Sequence, residues 1–477
     1  MPKLYKQSGI LKLFWNIILY YENVCANISM NMIINNFKFS FKTLKELKNE
    51  MYSMGIDIPI SKNVDILKEN IEKKNLVNKL AIQPMEGCDC TNDGRPGELT
   101  IRRYKRYAKS GAGILWFEGT AVTESGRSNP RQLLICEKNK RYFKKLLNEV
   151  KSITKSNFGY EPYMILQLTH SGRYSNPKNN YKSKFVHKNP YLNNKLKEVN
   201  NTLSDEEISE IEDKFVDATK VAKESGFDAI DIKSCHGYLI SELLSAFSRK
   251  GKYGGTFENR IRFLVNIIDK IRIELGNSID VAIRINAYDG IPYPYGWGID
   301  KQDYKKYDLE EPIKLIKLLY KKNIEIINIS VGDPHHNPHI VRPYDIGFYK
   351  SPEHPLMSVY RLLKIAKEIQ KAVPGGLVIA SGLSWLREFG ANVAAGCIRD
   401  GWFSIAGFGR QAFAYPNFAR DIIKGRGMVK ENCCISCSKC TEIMRGGGMT
   451  GCVIKDSGIY APIYKKIKSN NISTDFC

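Results

Sequence analysis

The sequence predicts an α/β protein centred on a (β/α)8 TIM barrel over residues 76–425. A partly helical extension over residues 1–75 precedes it, and a cysteine-rich segment over residues 426–477 follows. Two patterns carry that prediction. Short apolar runs alternate with longer stretches whose apolar residues recur at helical spacing, and the alternation repeats eight times in one direction, as in a parallel barrel wrapped by helices. Polar and glycine residues then follow each apolar run, where such a barrel carries its functional groups. A doubly wound sheet needs a glycine fingerprint directly after its first strand, and none stands there.

The extension contains an apolar run at residues 10–21 behind Lys3 and Lys6. Lys12 and Asn16 interrupt it, no small-x-small site follows closely, and it is too short to span a bilayer. Two readings stay open: a signal-type segment, and an upstream extension read from an early Met, since Met30, Met32 and Met51 follow. Residues 43–54 and 63–74 have helical spacing, and Thr43 with Glu46 fits a capping box. The eight predicted strands are 79–84, 114–118, 163–168, 229–232, 281–286, 326–330, 377–381 and 402–406, with helices expected at 206–225, 258–275, 309–321 and 357–373.

At 477 residues with 43% hydrophobic and 26% charged content, the chain has material for a large folded core. The net charge of +22 raises nucleic acid as a partner, but the lysines are scattered along helix faces without the Arg/Lys-plus-aromatic stripe that such binding uses. Twelve cysteines, several isolated among apolar residues as with Cys235 and Cys397, fit a reducing cytoplasm better than a secreted disulfide scaffold.

Five cysteines crowd residues 433–452: Cys433, Cys434, Cys437 and Cys440, then Cys452. C-x2-C-x2-C places three thiols on one short loop and the last closes a sulfur cage. Zinc sites usually pair their cysteines as two knuckles, so three close thiols and one distant one point to an iron–sulfur cluster.

Small residues after the last two strands, Ser381-Gly382 and Gly407-Phe408-Gly409 with Arg410, make a loop pair that can receive a phosphate; glycines that merely form tight turns are the alternative. Gln167 and Arg284 are expected at the barrel mouth, where an amide and a permanent cation suit a flavin's pyrimidine edge and reduced ring. Arg284 could equally pair with a buried carboxylate such as Glu118.

Several motifs in order, Gln167-Leu168-Thr169-His170-Ser171-Gly172-Arg173, His236-Gly237-Tyr238-Leu239, Tyr253-Gly254-Gly255 with Glu258-Asn259-Arg260, and Gly409-Arg410, resemble the old yellow enzyme family of FMN-dependent oxidoreductases. The cysteine tail narrows the resemblance to the branch of 2,4-dienoyl-CoA reductase and trimethylamine dehydrogenase, over roughly residues 76–455. The resemblance implies FMN over the mouth, with Pro84, Met85, Ala121, Gln167 and Arg284 at the isoalloxazine and Ser381, Gly382, Gly409 and Arg410 at the phosphate. It implies a [4Fe-4S] cluster on Cys434, Cys437, Cys440 and Cys452, with Cys433 spare, and NAD(P)H as electron donor.

Two departures stand out. Relatives carry His-x-x-His or His-x-x-Asn after strand four, whereas Lys233 precedes His236 here. Lys233 can polarise a substrate oxygen or pair with a substrate carboxylate, and a salt bridge to Asp231 or another local acid is the structural alternative. Tyr238 falls where family reductases place a proton donor. Of His335, His336 and His339 after strand six, His335 is the candidate for the family's catalytic histidine. The second departure is that the iron–sulfur relatives continue into a dinucleotide-binding region, and no strand-preceded GxGxxG occurs here. The expected chemistry is reduction of an activated C=C bond, with amine oxidation and a non-catalytic electron-transfer module as alternatives. The expected partners are a small-molecule substrate and an electron-transfer protein, with a homo-oligomer compatible and neither nucleic acid nor membrane.

Overall fold

A computed structural model describes residues 38–178, 182–192 and 201–472. The apolar run at 10–21 lies outside them. From Thr43 onward the chain forms one compact unit around a closed barrel of eight parallel strands in sequence order. They are β1 Leu80–Ile82, β2 Ile114–Ala121, β3 Tyr163–Thr169, β4 Ala229–Ser234, β5 Asp280–Asn286, β6 Ile326–Ser330, β7 Leu377–Ala380 and β8 Ile405–Phe408. The expected helices form at Asp205–Ser225, Phe257–Leu275, Glu310–Lys321 and Pro355–Ala372. Among the described residues, no helix is long and apolar enough to cross a membrane.

Two expected elements differ. The eighth strand starts at Ile405, not 402, because Trp402 donates its backbone N–H to Cys397 and completes the preceding helix turn, while pairing begins only where Ile379 meets Ile405. Residues 63–74 hold two short 3-10 turns, Asp65–Lys68 and Lys73–Asn75, in place of one helix. Ile71 and Leu76 exchange backbone hydrogen bonds at 2.7 and 2.9 Å, and Lys74 and Asn75 take positive φ to close that hairpin-like turn. The residue 43–54 expectation holds as Leu44–Ser53, where the Thr43 side chain accepts from the Glu46 N–H.

Strand alternation assigns every second residue to the barrel interior. The lower interior is apolar: Ala81, Ile114, Trp116, Ile165, Ala229, Ala282, Ile326, Leu377, Ile379 and Ile405 form one buried cluster. Two residues further along the strands the same rows become polar, with Gln83, Gln167, Asp231, Arg284 and Asn328 all buried.

The first β–α unit also receives the cysteine segment. Ile443, Val453 and Tyr460 pack with Leu99, Ile459, Tyr464 and Ile467. Asp456 takes Arg102 bidentately at 2.7 and 2.9 Å and also pairs with Arg106, and Thr450 donates its N–H to Gly87 at 2.6 Å. Beneath this junction Arg103 is ion-paired with both Asp89 and Glu118, and all three are buried. Removing the cation from such a group strands two buried carboxylates. Arg103→Met is therefore expected to lower the free energy of unfolding by about 3–5 kcal/mol, read from urea unfolding curves against the parent protein.

Candidate active site

The polar layer is built from pairs. Gln83 and Asn328 exchange amide hydrogen bonds across the barrel at 2.7 and 3.2 Å. Asp231 accepts from Gln167 Nε2 at 2.6 Å and from Trp116 Nε1 at 3.0 Å. Burial pushes the Asp231 carboxyl up to about 6 despite these donors and the nearby Arg284. Gln167 thus spends its amide N–H inside the layer, and Arg284 has Asp231, not Glu118, as its carboxylate neighbour. Glu118 is held by Arg103 instead, which corrects that expected alternative.

One step higher lies the mouth. Lys233, at the end of β4, is 5% exposed at its side chain. Its ammonium is 3.1 Å from Glu86 Oε1 and 3.6 Å from the centroid of the Tyr238 ring. The salt bridge that is the structural alternative for Lys233 thus forms, with Glu86 from the loop after β1 and not with Asp231. The Tyr238 hydroxyl is 3.4 Å from the same Glu86 oxygen. Gly119 makes this convergence feasible: a Cβ there would stand 2.8 Å from Glu86 Oε1 and 3.3 Å from Lys233 Nζ. His236 adopts φ +68° and faces Ser330, with Nε2 to Oγ at 2.9 Å.

Burial holds the Tyr238 phenol well above its ordinary range, with the Glu86 charge adding to it. Burial first, then Arg284 and Lys233, pushes the His236 imidazole well below its own. Tyr238 is therefore a protonated donor at neutral pH and His236 an uncharged one. Of the three histidines after β6, His335 stacks on Tyr174 at 3.8 Å between ring centroids and adds to the charges around His236. His339 is 2.5 Å from the Tyr349 hydroxyl, and His335 and His336 are both exposed.

The opposite side of the mouth carries the small residues. Ser381 donates to Ile329 O at 3.1 Å, and Gly382 takes φ +90°. At Gly409 a Cβ would lie 2.9 Å from Met85 Sδ, so the β1 and β8 loops touch there. Pro84 is buried just below Met85, and Ala121 closes β2 with its N–H on Leu133 O at 2.8 Å. Arg410 is 7% exposed and donates Nη2 to Pro343 O at 2.5 Å, while its Nη1 and Arg284 Nε are buried without a protein partner.

Beside Arg410 a pocket is lined by Cys434, Cys437, Cys440 and Cys452. The Ser436 and Lys455 N–H groups point at Cys434 and Cys452 Sγ at 3.4 and 3.3 Å. Cys433 is turned away, donating to Val429 O at 3.4 Å. Among the described residues no three His, Cys, Asp or Glu side chains converge on one ion-sized point.

A family model described as NADH:flavin oxidoreductase / NADH oxidase matches residues 70–336. The chain belongs to that family. An NADH:flavin oxidoreductase of Gibberella zeae is 27% identical over 54% of this chain and 64% of its own length. An NADH oxidase of Thermoanaerobacter brockii is 28% identical over 76% of this chain and 51% of its own. The chain thus spans less than two thirds of either relative. An NADPH dehydrogenase of Bacillus subtilis, 27% identical, is covered over 92% of its length. Among solved structures, a 2-naphthoyl-CoA reductase complex superposes with a TM-score of 0.64 at 21% identity, covering 82% of this chain and 57% of that one. Morphinone reductase with tetrahydroNAD gives 0.55 at 18%, covering 76% and 92%. These identities show a shared fold.

Within this family member, Gln83, Glu86, Asn328 and Tyr174 stand at the site without having been singled out from the sequence. Glu86 lies two residues after the first predicted strand, at 79–84, and nothing local marks its partners. Behind the His236–Tyr238 turn lies Asp289, which accepts from Asn286 Nδ2 at 2.8 Å and Trp297 N–H at 3.0 Å. Burial pushes its carboxyl up from 3.8 to about 7. A carboxyl that binds its proton more tightly folded than unfolded adds stability that is complete below the unfolded value and lost as pH rises through about 7. Asp289→Asn should remove this component. Relative to the variant, the parent should lose up to about 4 kcal/mol between pH 4 and pH 8, measured as unfolding free energy at stepped pH.

Proposed function

We propose that the protein is an FMN-dependent NAD(P)H oxidoreductase that reduces an electron-poor C=C bond of a small substrate, with a [4Fe-4S] cluster beside the flavin. The observation that carries the reading is the meeting of Lys233, His236 and Tyr238 at the barrel mouth beside Arg284. The residues present fit the flavin: Arg410 Nη1 and Arg284 Nε are buried donors awaiting an acceptor.

When bound, FMN supplies hydride transfer to the substrate's β carbon. Arg284 holds negative charge at the pyrimidine edge, with Gln167 presenting its carbonyl oxygen beside Gly119. Pro84, Met85 and Ala121 line the ring's seat, and Ser381, Gly382, Gly409 and Arg410 hold the phosphate. His236 and Lys233 hold the activating oxygen, and Tyr238 keeps the proton destined for the α carbon. His335, stacked on Tyr174, borders the same space.

The cysteine pocket suits a cluster in its donor chemistry. Four thiols line it and two backbone N–H groups point at their sulfurs, a lever on cluster potential. A cubane spreads its ligands over a body wider than one ion, so thiols that fail to converge on a point do not count against it. The cluster would supply one-electron exchange with a separate electron-transfer protein or with the flavin.

A second reading, oxidation of an amine with electrons leaving by the cluster, draws on Asp289 and Asp333, which line a water-sized pocket beside Gly237, where Glu242 is already paired with Arg173. Histamine dehydrogenase from Rhizobium sp. 4-9 has the same fold, with a TM-score of 0.62 at 18% identity. Stopped-flow mixing separates the two readings: bleaching of the flavin by NAD(P)H supports the first, and bleaching by an amine the second.

Tyr238→Phe should depress alkene turnover by about 10²–10⁴-fold while flavin reduction by NAD(P)H keeps its rate; equal loss in both half-reactions would sink the donor assignment. Iron analysis of anaerobically purified protein checks the cluster. Cys434→Ala or Cys452→Ala should lose most of the bound iron and its broad visible absorbance, whereas Cys433→Ala should retain both.

A further inference from the structure

Resting on the alkene-reductase reading, we propose that Glu86 is a specificity-determining residue. By occupying the Lys233 ammonium it selects substrates activated by an uncharged carbonyl, an ester, thioester or ketone, and rejects free carboxylates.

The argument begins from donors. An ammonium has three N–H groups. At Lys233 one is directed at Glu86 Oε1 at 3.1 Å, and the ammonium sits 3.6 Å from the Tyr238 ring centroid, a cation–π distance. That leaves donor capacity for one further acceptor. A neutral carbonyl oxygen can take it without disturbing Glu86. A carboxylate would bring a second full negative charge onto a cation already paired in a side-chain environment with little solvent, and the two carboxylates repel.

Among the other groups around the mouth, His236 and Arg284 do not supply a spare cation for it, while His335 is exposed and stacked on Tyr174 and Arg342 is crowded against Arg410 and Arg445. His236 is uncharged and engaged with Ser330 Oγ at 2.9 Å. Arg284, next to Lys233 across the β4–β5 pairing, has Asp231 as its carboxylate neighbour and is the flavin's cation in the reading above. Glu86 itself is fixed from several sides: by Lys233, by the Tyr238 hydroxyl at 3.4 Å, and by the space that Gly119 leaves. Its loop is tied in turn to the cysteine segment through Gly87 O and Thr450 N–H at 2.6 Å. An aspartate at position 86 would keep the charge and a glutamine would keep the shape, so the two effects are separable.

The test compares cinnamate with its methyl ester as substrates of the flavin-loaded protein, and 3-phenylpropanoate with its methyl ester as unreactive ligands by isothermal titration calorimetry. The parent protein should favour each ester at least tenfold, in kcat/KM and in Kd. Glu86→Gln should shrink both ratios tenfold or more, mainly through a gain for the acids, while Glu86→Asp should keep the parent's preference. An acid bound or turned over as well as its ester by the parent overturns the proposal. So do unchanged ratios in a Glu86→Gln protein with a parent-like thermal melt, and so does binding of neither ligand. Should the glutamine variant not fold, the parent's acid-to-ester ratio decides. Failure to reduce any activated alkene with the binding preference intact counts against the alkene reading alone, because the calorimetric comparison involves no chemistry.

Discussion

The structure depends on a buried polar layer set directly above the apolar floor of a closed barrel. A polar side chain can be held there only with a partner, since an unpaired one would lose its water for nothing. Gln83 and Asn328 satisfy one another and tie β1 to β6. Asp231 draws Trp116 and Gln167 to itself and ties β2 and β3 to β4. These pairings fix the level at which the next inward residues emerge, and those residues are Lys233 and Ser330, with Arg284 beside them. The mouth is thus positioned by hydrogen bonds that take no part in its chemistry. Gly407 belongs to the same constraint, because a Cβ on β8 at that height would collide with the Gln83 amide at 2.1 Å.

The cysteine segment extends this rigidity outward. It does not pack as a separate body: Leu99, Arg102 and Arg106 on the helix Glu98–Ala108 receive it, and Gly87 O receives Thr450. The same helix supplies Arg103 to Asp89 and Glu118, so neighbouring positions on one face of one element serve both the loop after β1 and the cysteine segment. On the far side Asp345 and Ile346 donate their N–H groups to Ser436 O, and Asp345 accepts from Trp385 and Arg387 at 2.7 Å. The thiol loop is consequently clamped between the first and the last thirds of the barrel.

Much of this is legible in the sequence because the signals are local. Eight apolar runs with helical stretches between them specify the barrel, and the strand-end residues follow from its geometry. The failures share a physical origin. Residues 63–74 have helical spacing, but the backbone exchange between Ile71 and Leu76 offers those groups a different set of partners. Trp402 and Phe403 are apolar enough for a strand, yet Trp402 closes the turn after the preceding helix and both are buried on the approach to β8. The alternative for Lys233 names Asp231 or another local acid, and the acid it meets is Glu86, 147 positions away, since closing a barrel makes β1 and β4 loops face each other across the mouth. Pairings of that kind depend on closure and leave no mark on either segment.

Electrostatics around the thiol pocket bear on what it holds. Arg410 lines the pocket while starting the helix that follows β8, so it stands between the loops offered to the phosphate and the four thiols. Arg342 is pushed down to about 10, by burial first and then by Arg410 and Arg445, which places three guanidinium groups near one another. Among the described residues, Arg342 and Arg410 have no carboxylate within ion-pair distance, and Arg445 rests on Pro334 O and the Phe348 ring. Crowded, partly desolvated cations need an opposing charge; Asp333 acts on Arg445, and the acidic groups that line the pocket itself are the thiols. As free thiols they are neutral, since burial raises Cys434, Cys440 and Cys452. As ligands of a metal cluster they would be thiolates, and the arginine ring would then face the counter-charge its arrangement calls for.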